Sequence, residues 1–418
     1  MSPIHVPARR HLRLARLSLS FLFSSVAGIT AAHAAPYVFT SFDVPFPGTV
    51  HTSVGGINDS GEIAGSYVTP ELIPPCDGAN TQHGFLLIDG SFSTFEFTGP
   101  CVTDFQAINN QGAVVGDGID LGGGGNASFL FENGQFSNLN VPGEFTGGAF
   151  GINNAGHIVG ETFISGATMG FLLEEGSFSF FSVPGAFSTH PRGIDDAGDI
   201  VGTVRTCGTP CNEQTEHGFL LTGGVFSTID FPGASSTSLL GINDAGDIIG
   251  IYDEIHSFIV NEQGFSTIEF PGASYKASGI NDPGEIVGTY QDHNGFHGFV
   301  GRPASVVSGL VHLDSMSTSF DGTPVTGGPA GTFTIEASFT NTSSTPIDTP
   351  QFVVTALSNG NLLLNADVPR LGVGARLTPD VGDGVLEPGE SLDLQFVIGL
   401  QQRRTFTFRV GLLGVNGP

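Results

Sequence analysis

The chain has 418 residues, 39% of them hydrophobic and 13% charged, with 62 glycines, 25 prolines, 36 phenylalanines and no tryptophan. Its 40 acidic against 13 basic residues give a formal net charge of −27, which excludes a nucleic-acid partner, since phosphate binding needs cationic neutralisation, and disfavours anionic surfaces for the same reason. The apolar fraction can bury a core, so disorder is excluded as well, and the Gly-, Pro- and Phe-rich mixture predicts many short strands joined by turns.

The first predicted element is an export signal over residues 1–34. Arg9, Arg10, Arg13 and Arg16 form a basic head, Leu17 to Ala27 a short, mostly apolar stretch, and Ala32-His33-Ala34 a small-x-small site for cleavage between Ala34 and Ala35. The Sec route is the expected one, with a weak twin-arginine alternative at Arg9-Arg10. No later apolar run reaches about 18 residues, so no membrane span is predicted. A secreted or periplasmic location follows.

Residues 35–302 repeat one pattern six times. Its first part is Gly56-Ile57-Asn58-Asp59-Ser60-Gly61-Glu62-Ile63-Ala64-Gly65, and its isoleucine returns at Ile108, Ile152, Ile194, Ile242 and Ile280, each followed by two Asn or Asp residues. Asn, Asp and Gly tolerate left-handed backbone, so the segment reads as a tight hairpin. The second part is His217-Gly218-Phe219-Leu220-Leu221, a short turn, then Phe226-Ser227-Thr228-Ile229-Asp230-Phe231-Pro232-Gly233. This is another hairpin. Four strands per repeat of about 45 residues predict propeller blades. The strand at Phe39 to Val44 precedes the first repeat and the strand at His297 to Val300 lacks a successor, so the two are expected to pair and close a ring. The fold class expected is all-β, a six-bladed β-propeller followed by a β-sandwich domain. A β-solenoid is the alternative for the repeats, but it needs no such offset between the ends.

The succession His-Gly/Ala-Phe, Phe-Ser-Thr-Ile-Asp-Phe-Pro-Gly and Gly-Ile-Asn-Asp-x-Gly-x-Ile-Val-Gly resembles the HAF repeat of bacterial extracellular proteins, over roughly residues 37 to 302. Ala127 and Met169 replace the histidine in two repeats, and Ala107 replaces the first glycine in one. The resemblance implies export and a propeller-like fold, and it carries no catalytic assignment.

Residues 303–418 are β-rich without the repeat. Phe333 to Phe339, Gln351 to Ala356, Ser391 to Leu400 and Thr405 to Val410 read as strands, the last by strict alternation. About seven strands in this length suggest an immunoglobulin-like sandwich, similar to accessory domains on secreted bacterial proteins.

The four cysteines, Cys76, Cys101, Cys207 and Cys211, suit an oxidising compartment. In a six-fold ring, the repeat phase puts the first two on one side and the last two opposite. Cys76–Cys101 and Cys207–Cys211 are therefore the expected disulfides. His83, His217, His256 and His297 open the third strand of four repeats. A within-blade hydrogen bond repeated with the blade is the plainer reading of them, and a metal ring the sharper one. Asp380, Asp383 and Glu390 outline a calcium-like loop that misses the EF-hand spacing at Gly382 and Gly384 and reads equally as a turn. The chain has no Gly-x-Ser-x-Gly elbow and no His-Glu-x-x-His motif. No catalytic or cofactor-binding residue is assigned, and no cofactor beyond a weakly suggested calcium ion. The expected function is an extracellular binding module for a glycan or protein, acting through variable loops at Val68 to Gln82, Asp117 to Ala127 and Arg205 to Glu216. The alternatives are a structural cell-surface component and a polysaccharide-degrading enzyme. Acidic and histidine side chains gathered at the mouth of the channel would favour the enzyme.

Overall fold

The computed structural model describes residues 37–416 except 71–80, 98–100, 121–124, 144, 208–213, 269, 271–273, 325–328 and 368–370. The expected leader and its cleavage site at Ala34 and Ala35 lie outside them. The described residues are all-β apart from a three-residue 3-10 turn at Ser308–Leu310. None of their helices is long and apolar enough to cross a membrane. The chain divides into two compact units between Ala304 and Ser305.

In the first unit, antiparallel pairing groups the strands in fours. His51–Ile57, Ile63–Thr69, Thr81–Ile88 and Ser91–Phe95 make the first group, each strand pairing with the next. Four similar groups follow, whose leading strands are Thr103–Ile108, Phe145–Ile152, Ser188–Ile194 and Thr237–Ile242. The last group has Ser274–Ile280, Ile286–Gln291 and Phe296–Pro303, and its fourth strand comes from the start of the chain. Tyr37–Phe42 pairs antiparallel with Phe296–Pro303, from Tyr37↔Pro303 to Phe42↔Gly298. The expected pairing of the two ends is thus present, two residues longer at the Tyr37 end. On the partner strand the pairing starts at Gly298, one residue after His297, which Asp43 reaches by its side chain at 2.8 Å.

The hairpins form where Asn and Gly stand. Asn58 Oδ1 accepts the amides of Ser60 and Glu62, and Gly61, at φ 78°, closes the turn on the Asn58 carbonyl. The second Asn or Asp of each turn then reaches the next repeat. Asp59 N donates to Asn110 Oδ1, Asn110 N to Asn154, Asn154 N to Asp196, Asp196 N to Asp244, Asp244 N to Asp282 and Asp282 N back to Asp59, at 2.7–2.9 Å. This circle of hydrogen bonds is closed. The first residue of the turn adds a second circle: the amides of Asn58, Asn109, Asn153, Asn243 and Asn281 each donate to the following repeat's carbonyl. The leading strands touch one another in the same order and Ser274–Ile280 meets His51–Ile57, so they are the innermost strands of a ring. Threonines tie adjacent groups: Val44, Phe97, Val183 and Phe231 donate their amides to Thr52, Thr103, Thr189 and Thr237.

The core of each group is one phenylalanine lying over one glycine. Phe85, Phe129, Phe171, Phe219, Phe258 and Phe299 are at most 1% exposed, and each pairs across the ladder with Gly65, Gly116, Gly160, Gly202, Gly250 or Gly288. A Cβ on Gly202 would stand 2.2 Å from the His190 carbonyl oxygen and 2.8 Å from the Phe219 ring. The glycine that ends the Ile-x-Gly motif is there for that ring.

In the second unit, one sheet joins Val311–Asp321, Thr332–Asn341, Ser391–Gly399 and Leu362–Leu363, and another joins Ser305–Val306, Phe408–Asn416, Ile347–Leu357 and Arg376–Leu377, with Val385–Leu386 beside Ile347. Phe339 and Phe396 from the first meet Phe352 and Phe408 from the second at ring distances of 4.9–5.9 Å, so the sheets share one core. The expected strand at Thr405 to Val410 begins only at Phe408. Thr405 and Thr407 are held by Asn359 and Ser358 instead of a ladder, while Phe406, Phe408 and Val410 keep the alternation and are buried.

Candidate functional site

Every innermost strand carries a β-bulge two residues before its isoleucine, and that of the third repeat has a second one at Gly147. At the shared position the residues left unpaired are Gly55, Gln106, Phe150, Arg192, Leu240 and Ser278. All six are half-buried. Two residues further on, the six isoleucines are buried, and with the paired Asn and Asp residues they line a cavity of about 70 Å³ inside the circle of turns. The bulge residues therefore form the next layer along the ring's axis, above an isoleucine floor. A bulge re-aims side chains and is a frequent neighbour of functional sites.

Two neighbourhoods of this wall carry charge. In the second repeat, Asp104 on the innermost strand stands directly opposite Asp117 on the next, a spacing of about 5 Å between their Cβ atoms. Asp104 accepts hydrogen bonds from Ser66 (2.7 Å) and Gln106 (2.9 Å), and Gln82 donates to Ser66 at 2.9 Å. Burial pushes the Asp104 carboxyl up against the pull of those bonds. Burial, then repulsion by Asp104, pushes Asp117 from 3.8 up to about 7.

The other neighbourhood joins the third and fourth repeats. Ser188, His190 and Arg192 alternate along one innermost strand, and Glu161 comes from the second strand of the repeat before. His190 Nδ1 lies 2.7 Å from Glu161 Oε2 and its Nε2 2.8 Å from Ser188 Oγ. Burial opposes ionisation of Glu161, but the bond from His190 and the charges of Arg192, His190 and Arg205 outweigh it and hold the carboxyl below its ordinary range. An ionised carboxylate can only accept, so Nδ1 donates to it, and of the two neutral tautomers the one that fits this bond turns its Nε2 lone pair toward the Ser188 hydroxyl. The Arg192 guanidinium lies 3.9 Å over the Phe150 ring. Its Nη1 is buried, has no hydrogen-bond partner, and stands 3.6 Å from Glu161 Oε2.

The histidines singled out from the sequence do not lie in this wall, whereas Gln82, Asp117 and Arg205, end residues of the loops expected to bind, act on it. His83, His217 and His297 instead bridge the third and fourth strands of their own groups, bonding Glu96, Asp230 and Asp43 at 3.2, 2.9 and 2.8 Å. His83, His256 and His297 stack on Tyr67, Tyr252 and Tyr290. Asp380 and Asp383 each accept a backbone amide two residues on, and Glu390 accepts that of Glu387, so all three carboxylates are engaged in turns. Among the described residues no three His, Cys, Asp or Glu side chains are grouped to hold a metal. Cys101 is buried, and no described cysteine is a free thiol. Cys76, Cys211 and the side chain of Cys207 lie outside the described residues, as do 71–80, 121–124 and 208–213 of the loops expected to bind. The wall was present in the sequence as a column: aligned on their isoleucines, the repeats keep the isoleucine, the Asn or Asp pair and the turn glycine, and vary at the bulge and the inward positions before it.

No family model matches the chain, and no curated protein matches it. Among solved structures, TolB from Acinetobacter baumannii aligns with 57% of this chain and 63% of its own length, at 10% identity and a TM-score of 0.39. The β-propeller domain of the Trilobed protease from Pyrococcus furiosus aligns over 70% of this chain and 90% of its own, at 10% identity and 0.38. YCF48 bound to D1 peptide aligns over 66% and 99%, at 11% identity and 0.37.

Proposed function

We propose that this is a secreted or periplasmic HAF-repeat protein, a six-bladed β-propeller followed by an immunoglobulin-like sandwich, that binds an extracellular glycan on the wall of its axial funnel. The observation that carries the reading is a contrast between layers. The turns, the isoleucines and the buried phenylalanines repeat six times, as structural parts of a ring should. The bulge layer holds Gly55, Gln106, Phe150, Arg192, Leu240 and Ser278, six different residues on one frame. Sixfold structure has no use for such asymmetry, whereas an asymmetric ligand does. Asp104 and Asp117 offer acceptors, Gln106 and Arg192 donors, and Phe150 and Leu240 apolar surface, which suits a hydroxyl-rich ligand with C–H faces. No cofactor enters this reading.

The disulfides belong to the same proposal, Cys76 with Cys101 and Cys207 with Cys211. The Gln82 amide bonds the Cys101 carbonyl at 3.1 Å, which sets Cys101 beside the strand that follows the Cys76 loop. Non-reducing peptide mapping reads the pairing directly. For the ligand, the mature protein is screened on a glycan array and hits are titrated by calorimetry. Arg192→Ala and Asp104→Asn should each weaken binding about tenfold or more. Undiminished binding by both variants would place the ligand elsewhere, and retention of a protein but no glycan would replace the ligand class.

A further inference from the structure

We propose that Ser188, His190 and Glu161 act as nucleophile, general base and positioning residue, and that the protein hydrolyses carboxylic esters, with O-acyl groups on a hydroxyl-rich ligand as the natural class. The natural class rests on the glycan reading above; the ester chemistry does not. The geometry has the three required parts: a hydroxyl 2.8 Å from an imidazole nitrogen, an anion 2.7 Å from the other nitrogen, and a cationic donor that lacks a hydrogen-bond partner and lies 3.6 Å from that same anion. That donor is Arg192 Nη1, two residues along the strand from His190 and positioned by its stacking on Phe150. A preorganised cationic donor where charge develops on an acyl oxygen is the largest single aid to such a reaction.

The competing explanation is structural, because this molecule uses hydroxyl–histidine–carboxylate chains as cement. Thr215–His217–Asp230 and Thr69–His83–Glu96 are two of them. Those chains stay within one four-stranded group, use threonine, and recur with the repeat. The chain at His190 crosses from one group to the next. Its histidine occupies a position held by Ser53, Asp104, Gly148, Ser238 and Lys276 in the other repeats, so the ring does not need it.

In the reaction, Ser188 Oγ bonds to the acyl carbon while its proton passes to His190 Nε2 and the carbonyl electron pair moves onto oxygen, facing Arg192. Collapse breaks the bond from acyl carbon to alkoxy oxygen, and the alcohol leaves with the proton from Nε2. Water then adds to the acyl-serine, again losing its proton to Nε2. Ser188 Oγ leaves with that proton and the carboxylic acid is released. Nothing is oxidised or reduced.

The test treats the full mature chain with a biotinylated fluorophosphonate and maps the adduct by mass spectrometry, alongside turnover of p-nitrophenyl acetate. Neither probe needs a glycan. The expected result is an adduct on Ser188, lost in Ser188→Ala together with about 100-fold or more of the turnover. Thr215→Ala, which cuts the analogous structural chain, should keep both. Glu161→Gln should slow turnover and change its pH profile while the circular dichroism spectrum stays native. Absence of a Ser188 adduct in the wild type, or equal turnover in Ser188→Ala, overturns the proposal. So does an equal loss in Thr215→Ala. A positive result with no glycan bound on the array would leave the esterase and remove only the glycan.

Discussion

Asp117 faces a second carboxylate across the ladder, and the fold favours its protonated form. Its folded pKa, about 7, lies above the ordinary 3.8, so the stability tied to this group is complete below pH 4 and is lost as pH rises through 7. Asp117→Asn removes that loss. The variant should match the wild type near pH 4 and exceed it at pH 8 by roughly 1–3 kcal/mol in urea denaturation, while binding ligand less well. Asp195 is a second such place. Asn153 and four other asparagines donate a side-chain amide to the next repeat, but Asp195 has a carboxylate oxygen where that amide would be, and burial pushes its carboxyl up. Asp195→Asn should complete the inner circle and add about 1 kcal/mol at neutral pH, read as a higher melting temperature.

At the scale of strands and turns, the hairpins were legible because their chemistry is written in residue type. Asn-Asp-x-Gly fixes a turn through side-chain acceptors and a positive φ, and the repeated phenylalanine marks the buried third strand. The bulges were not legible. Gly55, Gln106, Phe150 and Arg192 share no property, and what sets them apart is a register shift against the next strand, which no local pattern records. Ser188, His190 and Glu161 were hidden for a related reason: two of them lie two residues apart on one strand, but the third enters from another repeat. Thr405 to Thr407 misled in the opposite sense, since alternation reports burial and a ladder needs a partner strand as well. The buried glycines permit a sharper test. Gly202→Ala puts a methyl group against the His190 carbonyl and the Phe219 ring, and should cost roughly 1–3 kcal/mol. Gly233→Ala meets nothing within 4 Å, so its penalty, from φ 84° alone, should be smaller.

For the molecule as a whole, the pairing of Tyr37–Phe42 with Phe296–Pro303 decides whether the repeats behave as one body. Phe39 packs edge-on against both Phe270 and Phe299, so removing residues 37–42 strips an aromatic cover as well as a strand. The deletion should lower the melting temperature sharply and split a single cooperative transition into a broader one, as measured by calorimetry. The same clasp sets a schedule for the chain. Tyr37 is among the first described residues to emerge from the ribosome, and its partner Pro303 follows more than 260 residues later. Until then the earliest strand has no place to go, and the growing molecule carries two raw sheet edges that fit one another. A single chain can satisfy them only at the end of synthesis, but two unfinished chains can satisfy each other at once. Crowded nascent chains should therefore exchange their first strands, and a protein stopped short of Phe296 should be recovered as mixed oligomers, the penalty of a ring whose last joint is made from its first piece.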